Sequence, residues 1–191
     1  MTKIGIIGGA FNPVHYGHLF IASQANEQFE LDKVIFVPCN QPVHKSGERL
    51  ADGKDRCRMI RFAIESNPDF DVSPVELERG GKSYSVETVE EFKKKYGEGT
   101  EIYFIIGMDS FTELSTWKDI DVLLDGCRFI VATRPGWNEE GKMRTGCHLM
   151  SIPGFGISST DIRDRIRDSR SVKYLLPEDV EKYIVEHGLY K

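Results

Sequence analysis

The feature that most constrains this chain is an apolar run followed at once by a glycine pair and two closely spaced histidines. Residues 4–7 read IGII, and residues 8–18 read GGAFNPVHYGH. This pattern predicts a buried strand, then a short loop, then a helix that begins near Gly17. Such a junction directs free backbone N–H groups and the positive end of a helix dipole into the space above the strand. Because Gly8 and Gly9 carry no Cβ, a phosphate can approach the backbone closely there.

His15 and His18 lie three residues apart, so at the start of a helix they share one face. Two imidazoles placed in this way can both donate a hydrogen bond to one anionic group. An isolated histidine pair more often caps a helix or packs in the core. The glycine pair just before this one favours an anion site instead.

Two other phosphate-binding motifs do not fit the chain. The glycines at positions 5, 8 and 9 do not form the dinucleotide fingerprint G-x-G-x-x-G, and no acidic residue closes the second strand at 37–40 (VPCN). This disfavours a redox protein that binds a dinucleotide. Residues 81–83 (GKS) resemble the end of a P-loop, but the position of its leading glycine, residue 76, is glutamate.

A second candidate anion site lies near the other end of the chain, where residues 157–163 read ISSTDIR. Ser158 and Ser159 stand at the start of a predicted helix, whose first N–H groups have no partner within the helix. Arg163 follows about one turn later, on the same face as Ser159. Hydroxyl groups, a guanidinium and a helix dipole therefore converge on one phosphate-binding surface.

Together the two motifs closely resemble the nucleotidylyltransferase superfamily, whose signature is a glycine pair, an aromatic residue, a proline and then H-x-G-H. The chain matches this signature at Gly8, Gly9, Phe11, Pro13, His15, Gly17 and His18, and it matches the distal family motif at residues 157–163. The resemblance implies nucleotidyl transfer, in which a substrate phosphate attacks the α-phosphate of ATP and pyrophosphate leaves. No nucleophilic side chain with a partner base stands out, so a covalent intermediate is not expected.

The same resemblance implies roles for individual residues. His18 would hydrogen-bond the α-phosphate, and His15 would help to hold the triphosphate. The serine pair and Arg163 would bind the β/γ end, and Lys45, on a long polar segment after the second strand, would reach a phosphate from above. The implied ATP-binding residues are Gly8, Gly9, Phe11, His15, His18, Ile157, Ser158, Ser159 and Arg163. A Mg²⁺ ion would be carried mainly by the ATP phosphates, with no metal ligand from the protein.

Along nearly its whole length the chain is similar to the bacterial nicotinate-nucleotide adenylyltransferase family. The additional matches are residues 42–45 (PVHK), 83–88 (SYSVET), 107–109 (GMD), Trp117 and 134–136 (RPG). This likeness implies ATP and nicotinate mononucleotide as substrates. Trp117 would stack on the pyridine ring, Ser85 with local amides would bind the nicotinate carboxylate, and Asp109 would bind ribose. The implied substrate-binding residues are Ser85, Gly107, Asp109, Trp117 and Arg134.

The chain departs from the family pattern at Val43, Ser85, Glu87 and Asn12, where proline, threonine, aspartate and aspartate are commoner. Ser85 keeps a hydroxyl group, which preserves recognition of an acid. The sequence leaves two alternative acceptors of the adenylyl group, the amide mononucleotide and phosphopantetheine. A hypothesis from another class is a nucleotide-sensing module that binds ATP without turnover.

The predicted fold class is α/β, a doubly wound and mainly parallel sheet in a single domain over residues 1–191. The run 34–37 is too apolar for a half-exposed strand, which indicates a parallel sheet covered on both faces. Further strands are predicted over 101–106 and 127–132, near 70–72, and at an edge over 148–152. Predicted helices cover 19–29 and 52–66 and start near Ser85 (a candidate N-cap) and Ser158. A last helix is predicted with Pro177 in its first turn and Gly188 after its end. The helical part over 157–191 is expected to pack on the same domain.

Composition excludes several classes of function. The 191 residues carry a formal net charge of −5, which argues against a general nucleic-acid binder. The longest apolar run, 102–106, is far shorter than the ~18 residues that a membrane-spanning helix needs. Four widely spaced cysteines are typical of free thiols in a reducing compartment. We therefore expect a cytoplasmic protein. The sequence is compatible with either a monomer or a homo-oligomer.

Overall fold

The computed structural model describes residues 1–42, 50–97, 99–133, 145–154 and 156–191. Its centre is a six-stranded sheet with the strand order β3-β2-β1-β4-β5-β6, in which every neighbouring pair is parallel. The strands are β1 (Lys3–Gly9), β2 (Lys33–Pro38), β3 (Phe70–Val72), β4 (Glu101–Gly107), β5 (Arg128–Thr133) and β6 (Cys147–Ser151). The predicted doubly wound sheet is confirmed, and the parallel arrangement extends to both edge strands.

Helices cover both faces of the sheet. They are α1 (Tyr16–Phe29), α2 (Gly53–Ile64), α3 (Val75–Arg79), α4 (Ser85–Tyr96), α5 (Met108–Thr112), α6 (Ile120–Gly126), α7 (Ser159–Arg167) and α8 (Glu178–Glu186), with a 3₁₀ turn at Leu114–Thr116. Successive residues of β1 face opposite sides, so Ile6 packs in the cluster under α4 and α6, and Ile7 in the cluster under α1, α2 and α8. This two-sided burial explains why the strands are apolar throughout.

The C-terminal helices belong to the larger of these clusters. Ile162 of α7 and Val180 and Ile184 of α8 are buried in it together with Ala22 of α1 and Ile60 of α2. No helix within the described ranges has both the length and the apolarity needed to cross a bilayer.

Two local predictions differ from the structure, and one short helix was not predicted. Tyr84, not Ser85, is the N-cap of α4, so Ser85 is the first helical residue. Pro177 is likewise the N-cap of α8 and not a member of its first turn. The short helix α3 was not predicted, because its five residues are too few to show a helical period.

The order of the strands places the two central carboxyl ends side by side. Ile4 pairs with Ile102 and Ile7 with Ile105, so Gly8 and Gly9 end β1 next to Gly107 at the end of β4. In a doubly wound sheet the connections reverse direction between these two strands, which opens a crevice above them. The glycine pair and Gly107 therefore border the crevice in which ligands of such folds bind.

Gly5 of β1 gives a test of how tightly the sheet packs on its helices. A Cβ at this position would lie 2.8 Å from Leu31 Cδ1 and 3.0 Å from Ile105 Cδ1. Both side chains are buried and have little room to move, so Gly5→Ala should lower the free energy of unfolding by about 1–3 kcal/mol. Urea denaturation measures the change. Gly99→Ala, where a Cβ would meet nothing within 4 Å, is the control, and equal stability of the two variants would contradict the prediction.

Candidate active site

The loop after β1 is built around a buried phenylalanine. Phe11 is 2% exposed and has a positive φ of 46°. Its ring lies edge-on to His18, with ring centroids 5.0 Å apart, and a Cβ at Gly9 would approach Phe11 Cζ to 3.3 Å. The absence of a side chain at Gly9 thus lets the aromatic ring fold under the loop. The buried Phe11 ring packs against His18 from the core side, so Phe11 can contact a ligand only through its backbone.

The two histidines form a stacked pair at the start of α1. Their ring centroids are 3.7 Å apart, with an interplanar angle of 25°. The backbone N–H of His15 donates to Nδ1 of His18 at 3.3 Å. Because Nδ1 accepts this bond, the proton of the neutral His18 ring is on Nε2. His18 therefore carries its ring N–H on the nitrogen away from the helix start.

His15 is the buried member of the pair. Burial lowers its pKa from 6.5 to about 4, so the ring is neutral at neutral pH. A Cβ at Gly17 would lie 3.0 Å from both Nδ1 and Cε1 of this ring. Glycine at position 17 therefore preserves the space in which the His15 ring stacks. His15 acts here as a neutral group packed beneath His18.

The two predicted motifs meet directly. Ser159 Oγ donates to the carbonyl oxygen of Pro13 at 2.9 Å, across 146 residues of sequence. Arg163 Nη1 donates to the carbonyl oxygen of Asn12 at 2.8 Å. Ser158 is the N-cap of α7, and its Oγ accepts from the backbone N–H of Asp161 at 3.1 Å. The start of α7 thus lies against the loop that carries the histidines.

Two cavities open above the carboxyl ends of β1 and β4, and we name them by size. The smaller cavity, of about 220 Å³, is bordered by Gly8, Gly9, Ser85 and Trp117 among others. The larger cavity, of about 450 Å³, is bordered by His15, Asp109 and Ile157 among others. His18 and Gly107 border both, so the His18 ring lies where the two cavities meet.

Most of the predicted site residues that the structure describes lie around these cavities or on the loop beside them. Asp109 is exposed at the start of α5. Trp117 is half-buried, and its ring lies edge-on to Phe104 with centroids 6.0 Å apart. Lys45 and Arg134 lie outside the described residues.

Sequence reasoning missed two buried charged residues beside the site. Arg56 of α2 donates from its guanidinium to the carbonyl oxygens of Ala10, Cys39 and Ala51. Glu76 of α3 borders the smaller cavity, and its Oε1 accepts from Thr88 Oγ1 at 2.5 Å. The only sequence signal for Arg56 is its helical spacing from the buried Met59 and Ile60.

The donor set suits phosphate oxygens better than a metal ion. Imidazole, hydroxyl, guanidinium and backbone N–H groups are hydrogen-bond donors. Across the described ranges, no group of three or more His, Cys, Asp or Glu side chains is placed to hold a metal. These residues therefore fit a Mg²⁺ ion that is carried by bound phosphates. Cys39 borders the smaller cavity, but burial raises its pKa to about 11, so it is a neutral thiol and not a nucleophile.

The fold and the cavities define a nucleotidyltransferase, and comparison with known proteins agrees. The cytidylyltransferase-like family model matches residues 6–165. A protein of Moorella thermoacetica, named probable nicotinate-nucleotide adenylyltransferase, is 47% identical and aligns with 99% of this chain and 92% of its own length. A Bacillus pumilus protein of the same name is 44% identical, with full coverage of both chains. The chain belongs to the nicotinate-nucleotide adenylyltransferase family.

A solved structure extends the comparison of folds. Nicotinic acid mononucleotide adenylyltransferase of Plasmodium falciparum, solved in complex with NaAD, superposes with a TM-score of 0.85. The alignment covers 100% of this chain and 98% of the other at 19% sequence identity. At that identity the likeness concerns the fold alone, and it agrees with the six-stranded sheet described above.

The buried His15 predicts a pH dependence of stability. Its pKa is lower in the folded chain, about 4, than the ordinary 6.5, so the unfolded chain binds the proton more tightly. The contribution of neutral His15 to the free energy of unfolding is therefore fully present above pH 6.5 and is lost as the pH falls towards 4. Between about pH 7 and about pH 4.5, wild type should lose about 2 kcal/mol more than His15→Gln. Urea unfolding at both pH values measures this, and parallel losses in the two proteins would contradict it.

Proposed function

We propose that this protein transfers the adenylyl group of ATP to nicotinate mononucleotide, as a step of NAD biosynthesis. A phosphate oxygen of the mononucleotide bonds to the α-phosphorus of ATP. The bond between that phosphorus and the bridging oxygen breaks, and pyrophosphate leaves with the electron pair. The products are nicotinate adenine dinucleotide and pyrophosphate. The names of the relatives support this activity.

The observation that carries the proposal is the position of His18 between the two cavities. An in-line displacement places the attacking oxygen and the leaving pyrophosphate on opposite sides of the α-phosphorus, so the acceptor has to approach ATP from the side away from the leaving group. His18 presents Nε2–H at that boundary, because Nδ1 is held by the backbone N–H of His15. This N–H donates to a non-bridging oxygen of the α-phosphate, whose negative charge is redistributed in the transition state.

The smaller cavity suits the pyridine end of the mononucleotide. Trp117 offers a flat ring for stacking, and Ser85 offers a hydroxyl at the first position of α4, where backbone N–H groups are also free. These groups would bind a carboxylate. Glu76 borders the same cavity and favours a second candidate, the amide mononucleotide, because a carboxylate repels an acid and accepts from an amide.

The larger cavity suits ATP. Asp109 would accept from ribose hydroxyls, and Ile157 would contact the nucleoside beside the start of α7. The phosphates would accept from the backbone of Gly8, Gly9, Phe11 and Ser159, from the Ser158 hydroxyl and from Arg163. His15 would support His18 as a neutral ring. Lys45 and Arg134 keep their predicted roles as phosphate and substrate ligands.

Mg²⁺ would be held mainly by the phosphates of ATP, and when bound it would supply charge neutralisation to the leaving pyrophosphate. The protein's part is to bind and orient the phosphate chain with its own donors. A cytoplasmic location agrees with the four cysteines, all of which are free thiols in the structure.

The choice of acceptor can be measured directly. Pyrophosphate release is followed with ATP and, at equal concentration, nicotinate mononucleotide, nicotinamide mononucleotide or phosphopantetheine. We expect the highest kcat/KM with the nicotinate form, because Ser85 and the free amides of α4 donate to its carboxylate. A preference for phosphopantetheine would contradict the proposal. ATP binding without release of pyrophosphate from any acceptor would indicate a nucleotide sensor.

Replacement of His18 tests the mechanism. His18→Ala removes one preorganised donor to the transferring phosphate, so kcat should fall by about 10²–10³. ATP affinity should stay near that of wild type, since the remaining phosphate donors are kept. Steady-state kinetics and calorimetric titration with ATP measure the two quantities. His187→Ala, an exposed histidine after α8, is the matched control. An unchanged kcat in His18→Ala would remove His18 from the mechanism.

A further inference from the structure

Arg56 is a buried cation directly beneath the loop that follows β1. The residue is 2% exposed, although it lies on α2 among exposed polar residues. Its Nη1 donates to the carbonyl oxygens of Ala10 and Cys39, both at 2.8 Å. Its Nε donates to the carbonyl oxygen of Ala51 at 3.0 Å. One side chain therefore ties together the ends of β1 and β2 and the segment before α2.

The charge of Arg56 is not balanced by a carboxylate in the described part of the chain. No Asp or Glu oxygen there lies within 4.0 Å of its guanidinium, whereas Arg79 is paired with Glu76, Glu87 and Glu91. Burial of an ionised group is costly unless an opposite charge or good hydrogen bonds compensate. Three carbonyl dipoles compensate part of this cost. A polyanion bound above the loop would supply the opposite charge.

The contacts of Arg56 also orient the backbone of the loop. The carbonyl oxygen of Gly9 accepts from the N–H of Cys39 at 2.9 Å, and that of Ala10 accepts from Arg56. In a trans peptide the C=O and the following N–H point in opposite directions. The N–H groups of Ala10 and Phe11 are therefore turned away from β2 and from Arg56.

Within the described ranges these two N–H groups are unused donors. Neither has a hydrogen-bond acceptor in the described ranges. Both follow the glycine pair, which borders the smaller cavity together with His18, where that cavity meets the larger one proposed for ATP. Successive free backbone N–H groups form a concave anion site. The orientation of that site depends on the two carbonyl contacts beneath it, one of which Arg56 makes.

We propose that Arg56 is a positioning residue for the triphosphate of ATP. It holds the carbonyl side of the loop so that the N–H groups of Ala10 and Phe11 face the phosphates, and it places a positive charge below them. The inference rests on the proposed function only in taking ATP as a ligand, since it requires no particular acceptor.

Substitution of Arg56 separates positioning from a general loss of structure. Arg56→Met should raise the KM for ATP by about tenfold or more, with a change of less than about threefold in the KM for nicotinate mononucleotide. Arg56→Lys keeps the charge but not the forked donors, so its KM for ATP should lie between those of Arg56→Met and wild type. Arg61→Met, at an exposed arginine of the same helix, is the control and should change neither constant.

The outcome that would overturn the proposal is a folded Arg56→Met enzyme whose KM for ATP is within about twofold of wild type. Where Arg56→Met fails to fold, Arg56→Lys decides. An unchanged KM for ATP in that variant, or equal rises in both substrate constants, would assign Arg56 a purely structural role.

Hydrogen exchange in the wild-type protein gives a second test that needs no acceptor. Addition of ATP alone should slow exchange of the Ala10 and Phe11 amides by about tenfold, and this protection should be smaller in Arg56→Lys. Equal exchange with and without ATP would overturn the proposal. Because these readouts use ATP binding only, failure of the nicotinate acceptor assay would leave them interpretable.

Discussion

The rest of the site depends on how the carbonyl oxygens of one short loop are hydrogen-bonded. The loop after β1 leaves the sheet, so its carbonyl groups lose the partners that a strand ladder would supply, and buried carbonyls need donors. Side chains from distant parts of the chain supply them. The Arg56 guanidinium donates to the carbonyl oxygen of Ala10. The Arg163 guanidinium donates to the carbonyl oxygen of Asn12, and the Ser159 hydroxyl donates to that of Pro13. The shape of the loop is therefore set by tertiary contacts and not by regular secondary structure.

This arrangement explains why the site requires both ends of the chain. The loop leads directly into α1, whose first turn holds the stacked histidine rings at 3.7 Å. A shift of the loop would move the N–H of His15 and, with it, the bond that fixes the His18 tautomer. Contacts from α2 and α7 therefore act on the position of His18 without touching it.

The sequence predicted the central sheet well, because its strands are apolar on both faces and the glycine pair marks where β1 ends. The contact between the two motifs was implied by the family resemblance, which assigns both of them to one triphosphate, and the hydrogen bonds of Ser159 and Arg163 to the loop show it. Arg56 could not be recognised, because one arginine in a helix with exposed charges looks like a solvated residue until packing shows that it is buried. Ser85 was predicted as an N-cap, but cap identity depends on local backbone angles, and these placed Tyr84 there.

The sequence motif does not distinguish Ser158 from Ser159, but the structure does. The two hydroxyl groups differ in whether a proton is left to donate to a phosphate. A hydroxyl group has a single proton. That of Ser159 is directed at the carbonyl oxygen of Pro13, so in this arrangement Ser159 Oγ can offer a phosphate no proton. Ser158 Oγ accepts from the N–H of Asp161, and its own proton has no acceptor in the described part of the chain. Of the pair, Ser158 is therefore the side chain suited to contact a phosphate, and Ser159 is the one that holds the loop.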